Sequence, residues 1–366
     1  MKDQGKHIVE GNPEIKVLLD LLAGREEFSS LPEEFDEDRL MKLILMHKVS
    51  YQAMLYARQH EGFLSSLTLN RLETKCRQIA LHALTLLQEL IRIVREFQAA
   101  RIPFAVIKGP QLARMLYGRE ALKESVDIDL MLVHQADLAK AHDVLSRLGY
   151  KWSTMDAYHA GLKRKVFLIA KREVQYTSPA SRCTIDLHAR PGANAYLTAG
   201  RFRELLTTLV PFDLEGTPVM VLPDEAYFVY LCYHGALHQF SRLAWLMDIR
   251  AFLQVKKNTL DYEAVRNIAR TLRAERPVGL AVQLLEDYFG DEIPKPLTLL
   301  VTRSHRMRFL VSNCRDMIGR DEQYGLSLGG RFGKLLYMMV MIRGMAGKID
   351  LLYGIMVRVV AGWLKA

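Results

Sequence analysis

The chain has 366 residues, of which 50% are hydrophobic and 25% are charged. At roughly 100–200 residues per domain, this length allows two or three packed units with their own hydrophobic cores. The composition is that of a globular protein and excludes a disordered, fibrous or multispanning membrane protein. The net charge of +9 favours an anionic partner such as a nucleotide, RNA or a membrane surface, although an ordinary basic protein would show the same balance.

Targeting and redox signals are weak throughout the sequence. The four cysteines are far apart and include no Cys-x-x-Cys pair, so neither a disulfide framework nor a zinc knuckle is predicted. The N-terminal residues lack the apolar core of a signal peptide. The most apolar stretch, residues 335–363, is interrupted by charged side chains, which argues against insertion into a membrane. A cytoplasmic protein is therefore expected.

The first hundred residues have the pattern of helices. Asn12 is followed by proline, then by apolar residues at helical spacing and by Gly24, which predicts a capped helix from Asn12 to Gly24. Apolar residues at three- and four-residue spacing predict further helical regions over about residues 36–60 and 69–99. Residues 1–100 are thus predicted to form an N-terminal helical region.

The pattern changes to alternating strands and helices after residue 100. Four segments have strand-like composition: residues 104–107, 127–133, 165–171 and 183–188. Helices are predicted from Pro110 to about Tyr117 and from Gln135 to Leu148. Residues 101–222 are therefore predicted to form an α/β core with four or five strands.

Helical periodicity returns after Pro223 and predicts a C-terminal helical region over residues 223–366. The predicted fold class is α+β, with a small mixed sheet of four to five strands and flanking helices between two helical regions. His234, His238 and Arg242 follow one another at steps of four, which places them on one face of a helix if that helix is unbroken. The segment lacks the glutamate of a His-Glu-x-x-His zinc site.

Two short acidic motifs carry the chemistry. In Asp127-Ile128-Asp129, the strand period of two turns both carboxylates to one face. The repulsion between them is relieved by protonation, by basic groups or by a divalent cation, and hard oxygen ligands suit Mg²⁺. Asp186 and His188 show the same spacing on a second strand. Magnesium is the favoured interpretation, and solvated carboxylates at strand ends are the alternative.

Several segments resemble the bacterial uncharacterised nucleotidyltransferase family of the polymerase-beta-like superfamily. The strongest are Val106–Gly118, Asp127–Val133 and Leu145–Tyr150, and residues 12–19 and Ile185–His188 are similar as well. The resemblance covers roughly residues 10–255. It implies magnesium-dependent transfer of a nucleoside monophosphate from an NTP to an acceptor, with release of pyrophosphate.

This resemblance implies roles for individual residues. Asp127 and Asp129 would bridge two Mg²⁺ ions, with Mn²⁺ as an alternative, and Asp186 would complete the first site. Asp186 is also a candidate general base, unless a metal-lowered pKa of the acceptor makes a base unnecessary. Lys108 and Gly109 occupy the turn where the superfamily usually has Gly-Ser. The glycine permits close backbone approach and the lysine supplies a charge, but the missing serine leaves the triphosphate geometry open.

The remaining predicted substrate-binding residues are basic. Lys123 stands where the resemblance suggests arginine, so that the charge is kept and bidentate phosphate binding is lost. His188 is included because it shares a strand face with Asp186. His238 and Arg242 are included because the resemblance reaches their segment, and a helix-packing network is the alternative.

The partners follow from the same resemblance. ATP is the default donor, and the acceptor is a small molecule, a peptide or RNA, because the acceptor pocket varies freely within this fold. Homo-oligomer formation is left open. Two other functions compete with the enzyme: a non-catalytic nucleotide- or RNA-binding protein on the same fold, and a peripheral membrane or assembly factor that acts through the helices after about residue 330. Retention of all three aspartates favours the enzyme.

Overall fold

The computed structural model describes residues 12–25, 35–152, 173–188, 199–320, 328–344, 348–349, 351–352 and 355–356. The chain divides into two compact units. The first comprises Met1–Ala80, Tyr227–Arg270 and Ala274–Met341, and the second comprises Leu81–Ala226, Thr271–Arg273 and Ile342–Ala366. The division into three regions at residues 101 and 223 stays a prediction.

Along the described residues, the strands lie between positions 104 and 221, and helices precede, accompany and follow them. The helices are α1 (Pro13–Ala23), α2 (Glu37–His47), α3 (Ser50–Gln59), α4 (Ser66–Ala99), α5 (Pro110–Tyr117), α6 (Leu138–Arg147), α7 (Ala199–Leu205), α8 (Asp224–Leu237), α9 (Leu243–Val255), α10 (Tyr262–Thr271), α11 (Glu275–Phe289), α12 (Lys295–Thr298), α13 (His305–Ile318) and α14 (Leu328–Met341). The strands are β1 (Phe104–Val106), β2 (Asp127–Leu132), β3 (Lys151–Trp152), β4 (Glu173–Thr177), β5 (Thr184–His188), β6 (Val210–Leu214) and β7 (Thr217–Val221).

The helical predictions for the N-terminal part are confirmed, with one refinement. Asn12 caps α1, because its side-chain oxygen accepts a hydrogen bond from the backbone N–H of Ile15 at 3.1 Å. Gly24 ends α1 in the left-handed conformation, with φ of 72°. The predicted helical region over residues 36–60 is two helices, α2 and α3, because Lys48 adopts φ of 56° and ends α2.

A five-stranded mixed sheet forms the centre of the second unit. Its strand order is β1-β2-β5-β4-β3, with β2 and β5 parallel and the other neighbours antiparallel. This arrangement confirms the α+β fold class and the predicted number of strands. A separate hairpin of β6 and β7 was not predicted; its two-residue turn, Glu215-Gly216, has φ of 50° and 73°.

The hydrophobic core of this unit lies on one face of the sheet. Residues that alternate along the central strands, including Ile128, Leu130, Ile185 and Leu187, are fully buried. They belong to one cluster with apolar side chains from the second half of α4 and from α6. Strand alternation therefore turns the residues between them toward the opposite face.

One predicted element differs from the structure in its bounds. The predicted helix over residues 135–148 starts with a 3-10 turn, Gln135–Asp137, before α6 begins. The predicted strand over residues 165–171 lies outside the described residues, whereas β4 was not predicted. Within the described part of the chain, every helix is too short or too polar to cross a membrane.

Candidate functional site

Asp127, Asp129 and Asp186 occupy the face of the sheet that is opposite to the core. Asp127 and Asp129 alternate with the buried Ile128 along β2. In the parallel register of β2 and β5, Asp129 is the direct partner of Asp186. Partners in adjacent strands turn their side chains to the same face. The pairing therefore brings all three predicted carboxylates to one face, which β2 alone could not do.

Asp129 is the centre of the observed contacts. Its Oδ1 atom lies 3.0 Å from Lys108 Nζ and 3.0 Å from His188 Nε2. The Asp129 side chain is only 4% exposed, and those of Lys108 and His188 are 19% and 14% exposed. A buried carboxylate needs such partners, because an unpaired charge in a dry environment is costly. The structure thus joins three predicted site residues in one cluster.

The protonation states of this cluster follow from burial and charge. Burial by itself would lower the pKa of Lys108, but the nearby charges of Asp129, Asp127 and Asp186 outweigh it, and the pKa is raised. Burial would raise the pKa of Asp129, but the charge of Lys108 and the hydrogen bond from His188 hold it well below its ordinary value. At neutral pH, the ammonium of Lys108 therefore lies beside the ionised carboxylate of Asp129.

Gly109 brings the turn after β1 close to the start of β2. It adopts φ of 92° and ψ of −146°, and it precedes Pro110, the first residue of α5. A Cβ atom at this position would lie 3.0 Å from the backbone oxygen of Asp127. Both the conformation and the close approach require glycine. The backbone that Gly109 approaches is that of the site itself, and an approach to phosphate stays a prediction.

Gln175 belongs to the site and was missed by the sequence reasoning. Its Nε2 atom donates a hydrogen bond to Asp186 Oδ1 at 3.0 Å. The two residues are direct partners in the antiparallel pairing of β4 and β5. Alternation within Glu173–Thr177 was the available signal, but no strand is predicted from the sequence between residues 171 and 183. Gln175 therefore fixes the orientation of the third carboxylate.

Lys123 lies in the extended segment just after a short 3-10 turn, four residues before Asp127. Its side chain is partly buried. A position so close to β2 is compatible with a role in phosphate binding but does not establish one. Its assignment to the substrate stays a prediction.

His238 and Arg242 lie in the first unit, and the condition of an unbroken helix between them is not met. Helix α8 ends at Leu237, and the next two residues after His238, Gln239 and Phe240, adopt φ of 56° and 45°. Phe240 is fully buried, and its ring takes the space where a side chain on residue 235 would be. This packing stabilises the break, and Arg242 becomes the residue that precedes α9.

His238 and Arg242 nevertheless both lie beside Trp245. The ring of His238 lies 5.0 Å from that of Trp245 and 4.8 Å from that of His234. The guanidinium carbon of Arg242 lies 5.6 Å from the Trp245 ring centre. These contacts centre on Trp245, and both interpretations of His238 and Arg242, a substrate contact or a helix-packing network around Trp245 and Asp248, stay predictions.

Asp127, Asp129 and Asp186, which we call the carboxylate cluster, are the candidate ligands of a metal ion. Among the residues that the structure describes, no three His, Cys, Asp or Glu side chains are already grouped closely enough to hold one. The donor chemistry fits Mg²⁺, however, because Asp127, Asp129 and Asp186 offer hard carboxylate oxygens. Asp129 is already paired with one cation, the ammonium of Lys108, at 3.0 Å.

Comparison with known proteins adds one match. Residues 33–290 match a family model described as uncharacterised nucleotidyltransferase. This stretch contains every predicted site residue from Lys108 to Arg242. The curated proteins contain no match to the chain.

Proposed function

Because the chain belongs to the uncharacterised nucleotidyltransferase family, we propose that it transfers a nucleoside monophosphate from an NTP to an acceptor and releases pyrophosphate. Family membership supports a general role in nucleotidyl transfer. In this proposal the donor is ATP, the metal is Mg²⁺, and the reaction is cytoplasmic. The acceptor is a small molecule, a peptide or RNA. The observation that carries the proposal is the pairing of Asp129 with Asp186 in the register of β2 and β5, which brings three carboxylates to one face beside Lys108.

The carboxylates supply the ligands. Asp129 is ionised at neutral pH, because Lys108 and His188 keep its pKa low. Asp127, Asp129 and Asp186 would hold Mg²⁺, which would neutralise the triphosphate and lower the pKa of the acceptor hydroxyl when bound. His188 is a positioning residue in this scheme, since its ring nitrogen lies 3.0 Å from Asp129 Oδ1 and orients that carboxylate.

Lys108 is the residue that we assign to the phosphates of the donor. Its raised pKa keeps it charged. A lysine ammonium binds phosphate as a point charge, without the hydroxyl that the superfamily turn usually provides. Gly109 holds the Lys108 turn against the backbone of Asp127, which keeps the ammonium within reach of the carboxylates.

The bond changes are those of a nucleotidyl transfer. An oxygen of the acceptor forms a bond to the α-phosphorus of the NTP, and the bond from the α-phosphorus to the bridging oxygen breaks. Pyrophosphate leaves with that electron pair. Asp186, which is oriented by Gln175, is the candidate acceptor of the proton.

The test is a label-transfer assay with each α-labelled NTP, Mg²⁺ and a panel of acceptors. The double variant Asp127→Asn, Asp129→Asn should lose at least about 100-fold in rate, because metal coordination contributes several kcal/mol to such reactions. The matched control is Asp143→Asn, an exposed aspartate on α6, which should keep full activity. Equal transfer by the double variant and the wild type would refute the proposal.

A non-catalytic nucleotide-binding protein is the second candidate function. It is favoured by the ion pair between Lys108 and Asp129, since the ammonium already neutralises the carboxylate that a metal would need. Such a protein would bind NTP with Mg²⁺ in calorimetry and would release no pyrophosphate with any acceptor. Measurement of pyrophosphate in the same samples separates the two functions.

A further inference from the structure

A small cavity lies in the second unit, at the end of the sheet formed by β3 and β4 and next to α6. It has a volume of about 190 Å³. Six residues form most of its wall: Gln135, Leu138, His142, Trp152, Val174 and Tyr176. We call it the aromatic pocket, because three of these side chains carry aromatic rings.

The aromatic pocket is separate from the carboxylate cluster. Val174 and Tyr176 alternate along β4 with Gln175, and the amide of Gln175 donates to Asp186. Strand alternation therefore turns Val174 and Tyr176 to the opposite face. A ligand in the pocket would not contact the three aspartates.

The rings of the pocket are held in fixed positions. Tyr176 is 1% exposed and forms part of the hydrophobic core. Trp152 is its direct partner across β3 and β4, with ring centres 6.3 Å apart and planes inclined by 32°. His142 Nδ1 lies 3.2 Å from the hydroxyl of Tyr176, and its ring centre lies 5.7 Å from that of Trp152. A ligand would therefore meet the partly exposed rings of His142 and Trp152, already held in place by the buried Tyr176, which reduces the entropy lost on binding.

The size and chemistry of the pocket select a class of ligand. Pockets for drug-sized molecules usually measure about 300–1,000 Å³, so this one has room for a single ring system. Its wall combines aromatic faces with the polar groups of Gln135 and His142, which suits a flat ring with polar edges. We propose that the aromatic pocket binds one planar heteroaromatic ring of nucleobase size, as a free nucleoside or as a base of single-stranded RNA. This inference does not depend on the proposed transferase activity.

Calorimetry with the full chain tests the proposal. The probes are adenosine, guanosine, cytidine and uridine, with ribose 5-phosphate as a control that lacks a ring, and a short single-stranded RNA as the second source of bases. The buffer contains EDTA, so that the carboxylate cluster holds no divalent cation. At least one nucleoside should bind with saturation. A second measurement uses the variant Trp245→Phe, Trp363→Phe, in which Trp152 is the only remaining tryptophan and its fluorescence should change on binding.

Variants locate the site. His142→Ala and Trp152→Leu should each weaken binding about 5- to 150-fold, the range expected for loss of one base–aromatic stack. His134→Ala is the matched control, because His134 is an exposed histidine of the same segment and does not line the pocket. Circular dichroism confirms that each variant is folded. The variant Asp127→Asn, Asp129→Asn should bind nucleosides like the wild type.

Three results would overturn the proposal. One is the absence of nucleoside and RNA binding at millimolar concentrations, which would make the cavity a packing gap at the end of the core. Another is equal binding of ribose 5-phosphate. The third is binding that survives His142→Ala and Trp152→Leu but is lost in the double aspartate variant. Because this experiment uses neither NTP nor metal, its failure would not affect the transferase proposal, which is tested separately by label transfer.

Discussion

Replacement of Gly109 by alanine would perturb both the fold and the site. Gly109 adopts φ of 92° and ψ of −146°, a conformation that is strained for any residue with a Cβ atom. Its added Cβ would also lie 3.0 Å from the backbone oxygen of Asp127. Since this oxygen belongs to a central strand, it cannot move as freely as the end of a side chain. Alanine must therefore shift either the turn or β2.

The matched control is Gly118→Ala, at the other end of the same helix, α5. Gly118 has φ of 73°, and a Cβ atom there would meet no atom within 4 Å. Left-handed alanine costs roughly 1–2 kcal/mol, which is the expected loss of unfolding free energy for Gly118→Ala. The near-glycine-only conformation of residue 109 costs about 1–3 kcal/mol, and the contact with Asp127 adds to it. We therefore expect about 3 kcal/mol for Gly109→Ala.

Urea unfolding followed by circular dichroism compares the two variants, and label transfer measures the effect on function. A displacement of the Asp127 backbone by a few tenths of an ångström should lower the transfer rate several-fold, since a misplacement of about 1 Å costs about 100-fold. Gly118→Ala should keep its rate. Equal stability losses in the two variants, or full activity of Gly109→Ala, would refute the argument that Gly109 positions Asp127.

Three further predictions concern charge. The pKa of Asp129 is lowered on folding. The ionised carboxylate therefore stabilises the fold fully above its ordinary pKa of 3.8, and this stabilisation is lost as pH falls below that value. In urea unfolding between pH 6 and pH 3, the unfolding free energy should decrease less for Asp129→Asn than for the wild type. Burial lowers the pKa of His47 from 6.5 to about 4. Because the unfolded chain takes up this proton first, the unfolding free energy should fall by about 3 kcal/mol as pH decreases from 6.5 to 4. The variant His47→Gln should lack this pH dependence. Lys108→Met should lower the unfolding free energy by about 3 kcal/mol, because it leaves the buried Asp129 with one charge partner fewer. It should also raise the KM for NTP. An unchanged unfolding free energy would contradict a stabilising ion pair.

The sequence predicted the site to the extent that the site depends on local periodicity. The period of two placed Asp127 with Asp129 on one face, and the proline after Gly109 predicted the start of α5. The register of β2 against β5 could not be predicted, because it pairs residues more than fifty positions apart and no local pattern records it. This register is what sets Asp186 beside Asp129.

Two features of the fold were not predicted from the sequence: the helix break after His238, which depends on tertiary packing, and the β6–β7 hairpin, whose turn was overlooked. The break after His238 contains two non-glycine residues with positive φ, and it is stabilised by the burial of Phe240 against Gly235. No local preference indicates such a break, since strained backbone persists only where the surroundings hold it. The β6–β7 hairpin was predictable, because Glu215-Gly216 between two apolar segments suits a two-residue turn.

The charge of Lys108 compensates the charges of the three aspartates. Three carboxylates on one half-buried face repel one another, and without a compensating cation they would raise each other's pKa values or destabilise the sheet. The ammonium of Lys108 supplies this compensation at Asp129 Oδ1. Lys108 therefore stabilises this group of carboxylates by its charge. In the proposed enzyme, a divalent cation would compete with this ammonium for Asp129, and binding of Mg²⁺ together with an NTP would displace the ammonium toward the phosphates.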